Sequence, residues 1–231
     1  MRPLQGPLLL EAWERGSPEP ALSRPLALLR TAGADGVLVD LSLIARDARL
    51  FALRRMTFGE VLRGVLPCNA CGTRMEFEIS TGAILARIEE PRDAEWSAGG
   101  WSFRMRPVTT RDLSGIASMP DARQRLLERC TAVDAQDAPA ALAVCQNVAV
   151  EQFNRLNRDA ETRFTLNCPA CAEGVEVDLD IGRFLWMEVR HGALTLLREI
   201  HELASAYGWC EHDVLEMSSA RRAMYLEMVR Q

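Results

Sequence analysis

The sequence predicts an α+β fold, mainly α-helical, with short antiparallel strands. Three observations carry this reading. Leu185, Val189, Ala193, Leu196, Leu197, Ile200, Leu203, Ala204 and Tyr207 recur three or four positions apart, which draws one apolar helical face about seven turns long. Two short thiol pairs, Cys68-Asn69-Ala70-Cys71 and Cys168-Pro169-Ala170-Cys171, each offer two sulfurs from one tight turn. After each pair the chain alternates apolar and polar residues, in Met75-Glu76-Phe77-Glu78-Ile79 and Val175-Glu176-Val177-Asp178-Leu179, as a half-buried strand does.

A knuckle beside a strand, twice over, reads as a zinc ribbon. Cys68, Cys71, Cys168 and Cys171 would fill the tetrahedral shell of a structural Zn2+ and leave no open position for substrate or water. Residues 72 to 167 separate the pairs, against roughly 15–20 in a common ribbon. The intervening chain must therefore be a folded insert whose ends return to one point. Free thiols and two disulfides are the alternatives; matched CxxC units in a reducing compartment favour metal.

In chain order, Leu8, Leu9, Leu10 and Trp13 suit a short helix broken at Glu19-Pro20. Ala21 to Ala32 reads as a helix with Leu26, Leu28 and Leu29 inward, ended by Gly33 and Gly36. Leu41 to Arg55 reads as another. Thr57-Phe58-Gly59-Glu60 has the form of a capping box, opening a short helix with Val61, Leu62, Val65 and Leu66 that Pro67 stops at the first knuckle. A strand at 74–79 follows, then a polar loop from Glu89 to Gly100 and a paired strand at Trp101–Met105. Thr109-Thr110-Arg111-Asp112 signals a helix start, running to about Ala117. Pro120 suits the first turn of the next helix, which carries Leu126, Leu127 and Cys130. One Ala-rich helix is expected over about 138–156, and Phe164 and Leu166 alternate into the second knuckle. Beyond the long C-terminal helix, Gly208 fits a left-handed stop, and two short helices occupy about 211–217 and 219–230. The segments group as an N-terminal helical part (1–66), the ribbon with its helical insert (67–181, insert about 109–158) and C-terminal helices (182–231), packed as one compact unit.

Composition narrows the function. A chain of 231 residues with 48% hydrophobic content can bury a real core. It has no apolar run long enough for a membrane span, and Leu8 to Leu10 is too short for a signal peptide, so a cytoplasmic protein is expected. The net charge of −5 argues against non-specific nucleic-acid binding. All 27 basic residues are arginine, which fits either codon usage or selection for ion pairs at interfaces. No catalytic constellation emerges. His201-Glu202 begins like HExxH, but Ser205 stands where the second imidazole belongs. His191 and His212 lack obvious partners, and Glu89-Glu90 reads as a solvated pair. Cys130 and Cys145 fall on apolar helical faces, and Trp101, Trp186 and Trp209 lie within or beside apolar patterns, so packing is their expected role. Arg54-Arg55 and Arg221-Arg222 read as solvated faces, or as contacts for an acidic partner.

The C-terminal third adds a resemblance. Phe184-Leu185-Trp186-Met187-Glu188, Leu197-Arg198-Glu199-Ile200-His201-Glu202-Leu203-Ala204, Ala206-Tyr207-Gly208-Trp209, Val214-Leu215-Glu216-Met217 and Arg221-Arg222-Ala223-Met224-Tyr225-Leu226 together resemble the baseplate hub assembly chaperone family of T-even-type contractile phages. The nearer branch belongs to bacterial phage-tail-like contractile injection systems, whose members also carry two CxxC knuckles. Arg46-Asp47-Ala48-Arg49-Leu50, Thr57-Phe58-Gly59 and Thr109-Thr110-Arg111-Asp112-Leu113 fit the same pattern. Ala172, Asp180-Ile181-Gly182 and Cys210 depart from it, and none of them is a metal ligand. The resemblance implies non-catalytic work with baseplate, hub or spike proteins of a contractile tail, without a small-molecule substrate. A zinc-ribbon nucleic-acid binder or transcription accessory protein is the alternative.

Overall fold

The computed structural model describes residues 1–116, 119–160 and 162–230. In chain order the helices are α1 (Pro7–Gly16), α2 (Arg24–Thr31), α3 (Leu43–Phe58), α4 (Thr81–Leu85), α5 (Thr110–Leu113), α6 (Ala122–Cys130), α7 (Ala138–Val144), α8 (Gln146–Leu156), α9 (Ile181–Tyr207), α10 (Glu211–Glu216) and α11 (Ser219–Val229). The strands are β1 (Val61–Pro67), β2 (Arg74–Ser80), β3 (Ala94–Ala98), β4 (Trp101–Met105), β5 (Thr131–Val133), β6 (Thr162–Asn167) and β7 (Gly174–Leu179). The fold is α+β and mainly helical, as the periodicities predict. Contacts divide the chain into two units, Met1–Ala34 with Gly182–Gln231, and Asp35–Ile181, so residues 1–66 contribute to both.

The first unit is helical. Pro7 and Pro25 sit in the first turns of α1 and α2, where a missing N–H costs nothing. Leu9, Leu10 and Ala12 of α1, Leu26, Leu28 and Leu29 of α2, and Leu185, Val189, Ala193, Leu196, Ile200 and Leu203 of α9 are all buried. Small residues set the close approaches: a Cβ at Gly16 would lie 2.4 Å from Cζ3 of Trp186, and one at Gly192 would lie 3.2 Å from Leu9. Gly208, at φ 70°, ends α9 as predicted. Arg222 on α11 is not solvated, contrary to expectation. It is 8% exposed, and its Nε donates to Glu199 (3.1 Å) while Nη1 donates to the Met217 carbonyl (2.7 Å).

In the second unit, Ser42 caps α3 by accepting the Ala45 N–H at 3.0 Å. The helix expected over 61–66 is a strand. Thr57 lies inside α3, which runs on to Phe58, and Gly59 at φ 93° ends it. β1 then pairs antiparallel with β2, from Val61 opposite Ser80 to Pro67 opposite Arg74. The Glu60 carboxylate does cap a helix, but the wrong one for that expectation: its Oε1 accepts the Gly82 N–H of α4 (2.7 Å) and the Ser80 hydroxyl (2.6 Å). Arg54 is likewise buried rather than solvated, at 3% exposure, and donates to the Gly59 carbonyl at 2.9 Å.

The insert holds more strand than expected. The polar stretch 89–100 contains β3, which pairs with β4 across a two-residue Gly99-Gly100 turn at φ 57° and 83°, and β5 adds a third strand. The helix expected over 138–156 is two, α7 and α8, meeting at Cys145 (φ −100°, ψ 18°). The helix start expected at Thr109-Thr110-Arg111-Asp112 is present, with Thr109 and Asp112 forming a capping box, but α5 closes at Leu113, and the expected end at Ala117 lies outside the described residues. Pro120 precedes the first turn of α6 instead of sitting in it. Phe103, Met105, Val108, Leu127, Cys130, Leu142, Cys145 and Ala149 make the insert's core, with Trp96 stacked on Phe103 at 5.1 Å.

Candidate metal centre

Both knuckles follow one backbone path. In the first, the Cys68 N–H donates to the Thr73 carbonyl (2.8 Å) and the Gly72 N–H to the Cys68 carbonyl (2.9 Å). In the second, Cys168 donates to Glu173 (2.8 Å) and Ala172 to Cys168 (2.9 Å). The residue after each pair is left-handed, Gly72 at φ 72° and Ala172 at φ 60°.

The duplication runs beyond the knuckles, each residue having its counterpart 100 positions on. Arg63 pairs with Glu78 across β1 and β2 (2.6 Å), and Arg163 with Asp178 across β6 and β7 (2.7 Å), at equivalent register positions. Thr81 and Ile181, both fully buried, open the helices that follow. The signal was present in the chain: Glu76-Phe77-Glu78-Ile79 against Glu176-Val177-Asp178-Leu179, and Gly82-Ala83-Ile84-Leu85 against Gly182-Arg183-Phe184-Leu185.

All four cysteines predicted as ligands come together. Cys68 Sγ lies 3.7 Å from Cys171 Sγ, and Cys71 Sγ lies 3.6 Å from Cys168 Sγ; all four sulfurs lie within 4.8 Å of one another. A tetrahedron with metal–sulfur bonds of about 2.3 Å has edges of about 3.8 Å. The sulfurs thus stand where four ligands of one ion would stand. The cysteines are free thiols, so the disulfide alternative is not realised. Cys68 and Cys168 are buried against Met75, Val175, Leu66 and Val177, while Cys71 and Cys171 are exposed, which gives an ion a way in. Phe77 and Phe164, with ring centroids 5.3 Å apart, join the two hairpins.

The turns also place hydrogen-bond partners beside the sulfurs, and sequence reading missed them. The Thr73 hydroxyl, 3.3 Å from Cys71 Sγ, and the Thr73 amide, followed by Cys171, hold the Cys71 thiol down at about 6. At Cys171 the Glu173 amide pulls the thiol down, but its bond to Cys71, desolvation, and bonds to Cys168 and Cys68 outweigh that and push it to about 12. A bound dication replaces the protons and makes all four thiolates.

The remaining candidates lie elsewhere. Cys145 is buried in the insert core. Burial, then the neighbouring Asp112 carboxylate, pushes the Cys130 thiol up to about 11, which makes it unreactive. Cys210 is exposed, and its N–H donates to Asp213 at 3.1 Å. His212 Nε2 lies 3.3 Å from Glu216 on an exposed face. Trp209 stacks on Tyr207 at 4.5 Å, and Trp186 is buried. No helix of the described residues is long and apolar enough to cross a membrane. Compared with protein-family models, curated proteins and solved structures, the chain finds no match.

Proposed function

We propose that this chain is a non-catalytic zinc-binding protein that assembles, or forms part of, the baseplate or hub of a contractile, phage-tail-like injection system, in the manner of a hub assembly chaperone. The observation that carries the metal reading is the convergence of four sulfurs from two distant turns at tetrahedral spacing. Four cysteine thiolates suit Zn2+, which accepts tetrahedral sulfur ligation without redox chemistry. With the shell filled by protein, the ion would hold structure, and the work would fall to surfaces. The assembly reading is supported by the sequence resemblance, and the partners it names are baseplate, hub or spike proteins.

Two experiments test the parts separately. Elemental analysis of protein purified under reducing conditions should find a single zinc per chain, lost in Cys68→Ser with Cys168→Ser. A double variant that keeps its zinc and its melting temperature refutes the metal reading. In a strain that makes contractile particles, deleting the gene should stop baseplate formation, and the tagged chain should co-purify with a hub, spike or baseplate protein. Normal particles and no such partner would overturn the assembly reading. A gel shift that weakens steeply with salt would favour the nucleic-acid alternative.

A further inference from the structure

The four clustered thiols differ in exposure, and the difference repeats in both knuckles. Cys68 and Cys168, the first cysteine of each pair, are buried, while Cys71 and Cys171, the second, are exposed. Each exposed sulfur touches the buried sulfur of the opposite knuckle. Cys71 Sγ lies 3.6 Å from Cys168 Sγ, and Cys171 Sγ lies 3.7 Å from Cys68 Sγ. An oxidant arriving from solvent meets Cys71 or Cys171 first, and a second thiol already stands in contact behind it. An accessible thiol poised next to a resolving thiol is the arrangement of redox-sensor cysteines.

The remaining cysteines do not share this arrangement. Cys130 and Cys145 are buried in the insert core, away from solvent. Cys210 is exposed but is not one of the cluster. The two sulfur contacts span 97 and 103 residues of chain. Covalent bonds along them would close the insert just as an ion held by both knuckles does.

We propose that the cluster is a peroxide-sensitive clasp, which exchanges its ion for two disulfides between the knuckles, Cys71 to Cys168 and Cys171 to Cys68. The proposal rests on the metal reading above and adds the regulation of that site. The Cys71 thiolate attacks hydrogen peroxide: an S–O bond forms, the O–O bond breaks and hydroxide leaves. The Cys168 thiolate then attacks the Cys71 sulfenic sulfur, forming the S–S bond and expelling a second hydroxide. The two sulfurs lose two electrons and the peroxide oxygens gain them. Cys68 and Cys171 alone no longer fill a tetrahedral shell, which releases the ion. A second peroxide joins them by the same steps, with Cys171 oxidised first. Because both bonds cross between knuckles, the turns stay tied after the ion has gone. Bonds within each CxxC would set them free.

The test uses the full-length, zinc-loaded protein carrying Cys210→Ser, which removes the exposed thiol outside the cluster. Zinc is measured in the reduced protein first. Hydrogen peroxide is then added, and free zinc is followed with a colorimetric chelator, thiols by alkylation after denaturation, and disulfide partners by mass spectrometry of unreduced peptides. The chain has seven cysteines, so this variant has six. Four thiols should be lost with release of the bound zinc, leaving Cys130 and Cys145, and the joined peptides should be Cys71 with Cys168 and Cys68 with Cys171. The oxidised protein should melt above the reduced, chelated protein, since each bond closes a long loop. A dithiol reductant with zinc should restore the starting state. Adding Cys171→Ser should leave the Cys71–Cys168 bond alone; where that variant does not fold, the peptide map of its parent decides. Bonds within a CxxC, or between Cys71 and Cys171, overturn the proposal. Zinc that stays bound with its thiols intact also overturns it and leaves the metal reading standing. Reduced protein without zinc is seen before any peroxide is added, and it overturns the metal reading and the exchange together.

Discussion

Ala172 is the only non-glycine residue with positive φ among those described, and it sits in the second knuckle where the first has Gly72. A Cβ in the left-handed region costs on the order of 1 kcal/mol. Ala172→Gly should therefore stabilise the metal-loaded protein by about 1 kcal/mol in urea denaturation, and Gly72→Ala should cost about as much. Equal midpoints for all three proteins would show that the turn does not feel the strain. Asp112 is a second residue with a measurable duty. It accepts both terminal nitrogens of Arg106 (2.6 and 2.7 Å), the Thr109 hydroxyl (2.7 Å) and the Thr109 N–H (2.9 Å). Burial raises its carboxyl, but Arg106 and Thr109 outweigh burial and hold it at about 2, below the ordinary 3.8. Its contribution to stability is thus complete above pH 3.8 and is lost as pH falls toward 2. Asp112→Asn should cost about 2 kcal/mol at pH 7, a figure discounted because Arg106 is partly exposed. The gap from the parent protein should narrow between pH 4 and pH 2, and a gap that stays constant over that range would remove the ion pair as its cause.

At the scale of elements, the two ribbon hairpins are alike in path but joined by an unlike pair of positions. Gly64 faces Phe77 in register, and a Cβ there would lie 2.2 Å from Phe77 Cζ. The missing side chain is what lets the Phe77 ring lie across its own strand pair and reach Phe164. Gly64→Ala should displace that ring and cost about 1–3 kcal/mol. Gly174→Ala, where the nearest atom would be 3.5 Å away, should be close to neutral. Equal effects of the two in thermal melts would count against the ring as the joint between the hairpins. The same hairpins show what a sequence can disclose. The four clustered cysteines were legible because two CxxC spacings declare themselves locally, and β2, β6 and β7 because they alternate cleanly. β1 was not, since Val61, Leu62, Val65 and Leu66 suit a helical face, and Thr57 with Glu60 imitates a cap that the fold applies to α4 instead. Alignment with the second hairpin would have shown the strand. β3 is polar and exists through its partner β4, with only Gly99-Gly100 to announce the turn. The burial of Arg54 and Arg222 depends on acceptors that neighbouring elements and chain turns provide in three dimensions, at Gly59, Met217 and Glu199, which no local pattern encodes.

Within the larger unit, the four sulfurs tie turns 100 residues apart, so the insert is a closed excursion between them. Among the described residues each ribbon sheet has two strands, and the apolar cluster beneath the knuckles is small. Two-stranded hairpins are marginal in water without further support. An ion whose apparent binding energy is on the order of 10 kcal/mol would rival the whole stability of a domain and would be the main support of this one. The insert has its own three-stranded sheet and its own buried cluster, so it does not depend on the ion in the same way. Removing metal with a strong chelator under reducing conditions should therefore act unevenly. Amide hydrogens of 61–80 and 162–179 should lose protection first, those of Phe103, Met105 and Leu127 should keep most of theirs, and the melting transition should fall and broaden. Readdition of zinc should restore both. Cys68→Ser with Cys168→Ser should match the chelated state without any chelator. If the hairpins exchange at the same rate with and without metal, the thiol cluster is held by the fold alone, and the ion is a passenger in a site that packing has already built.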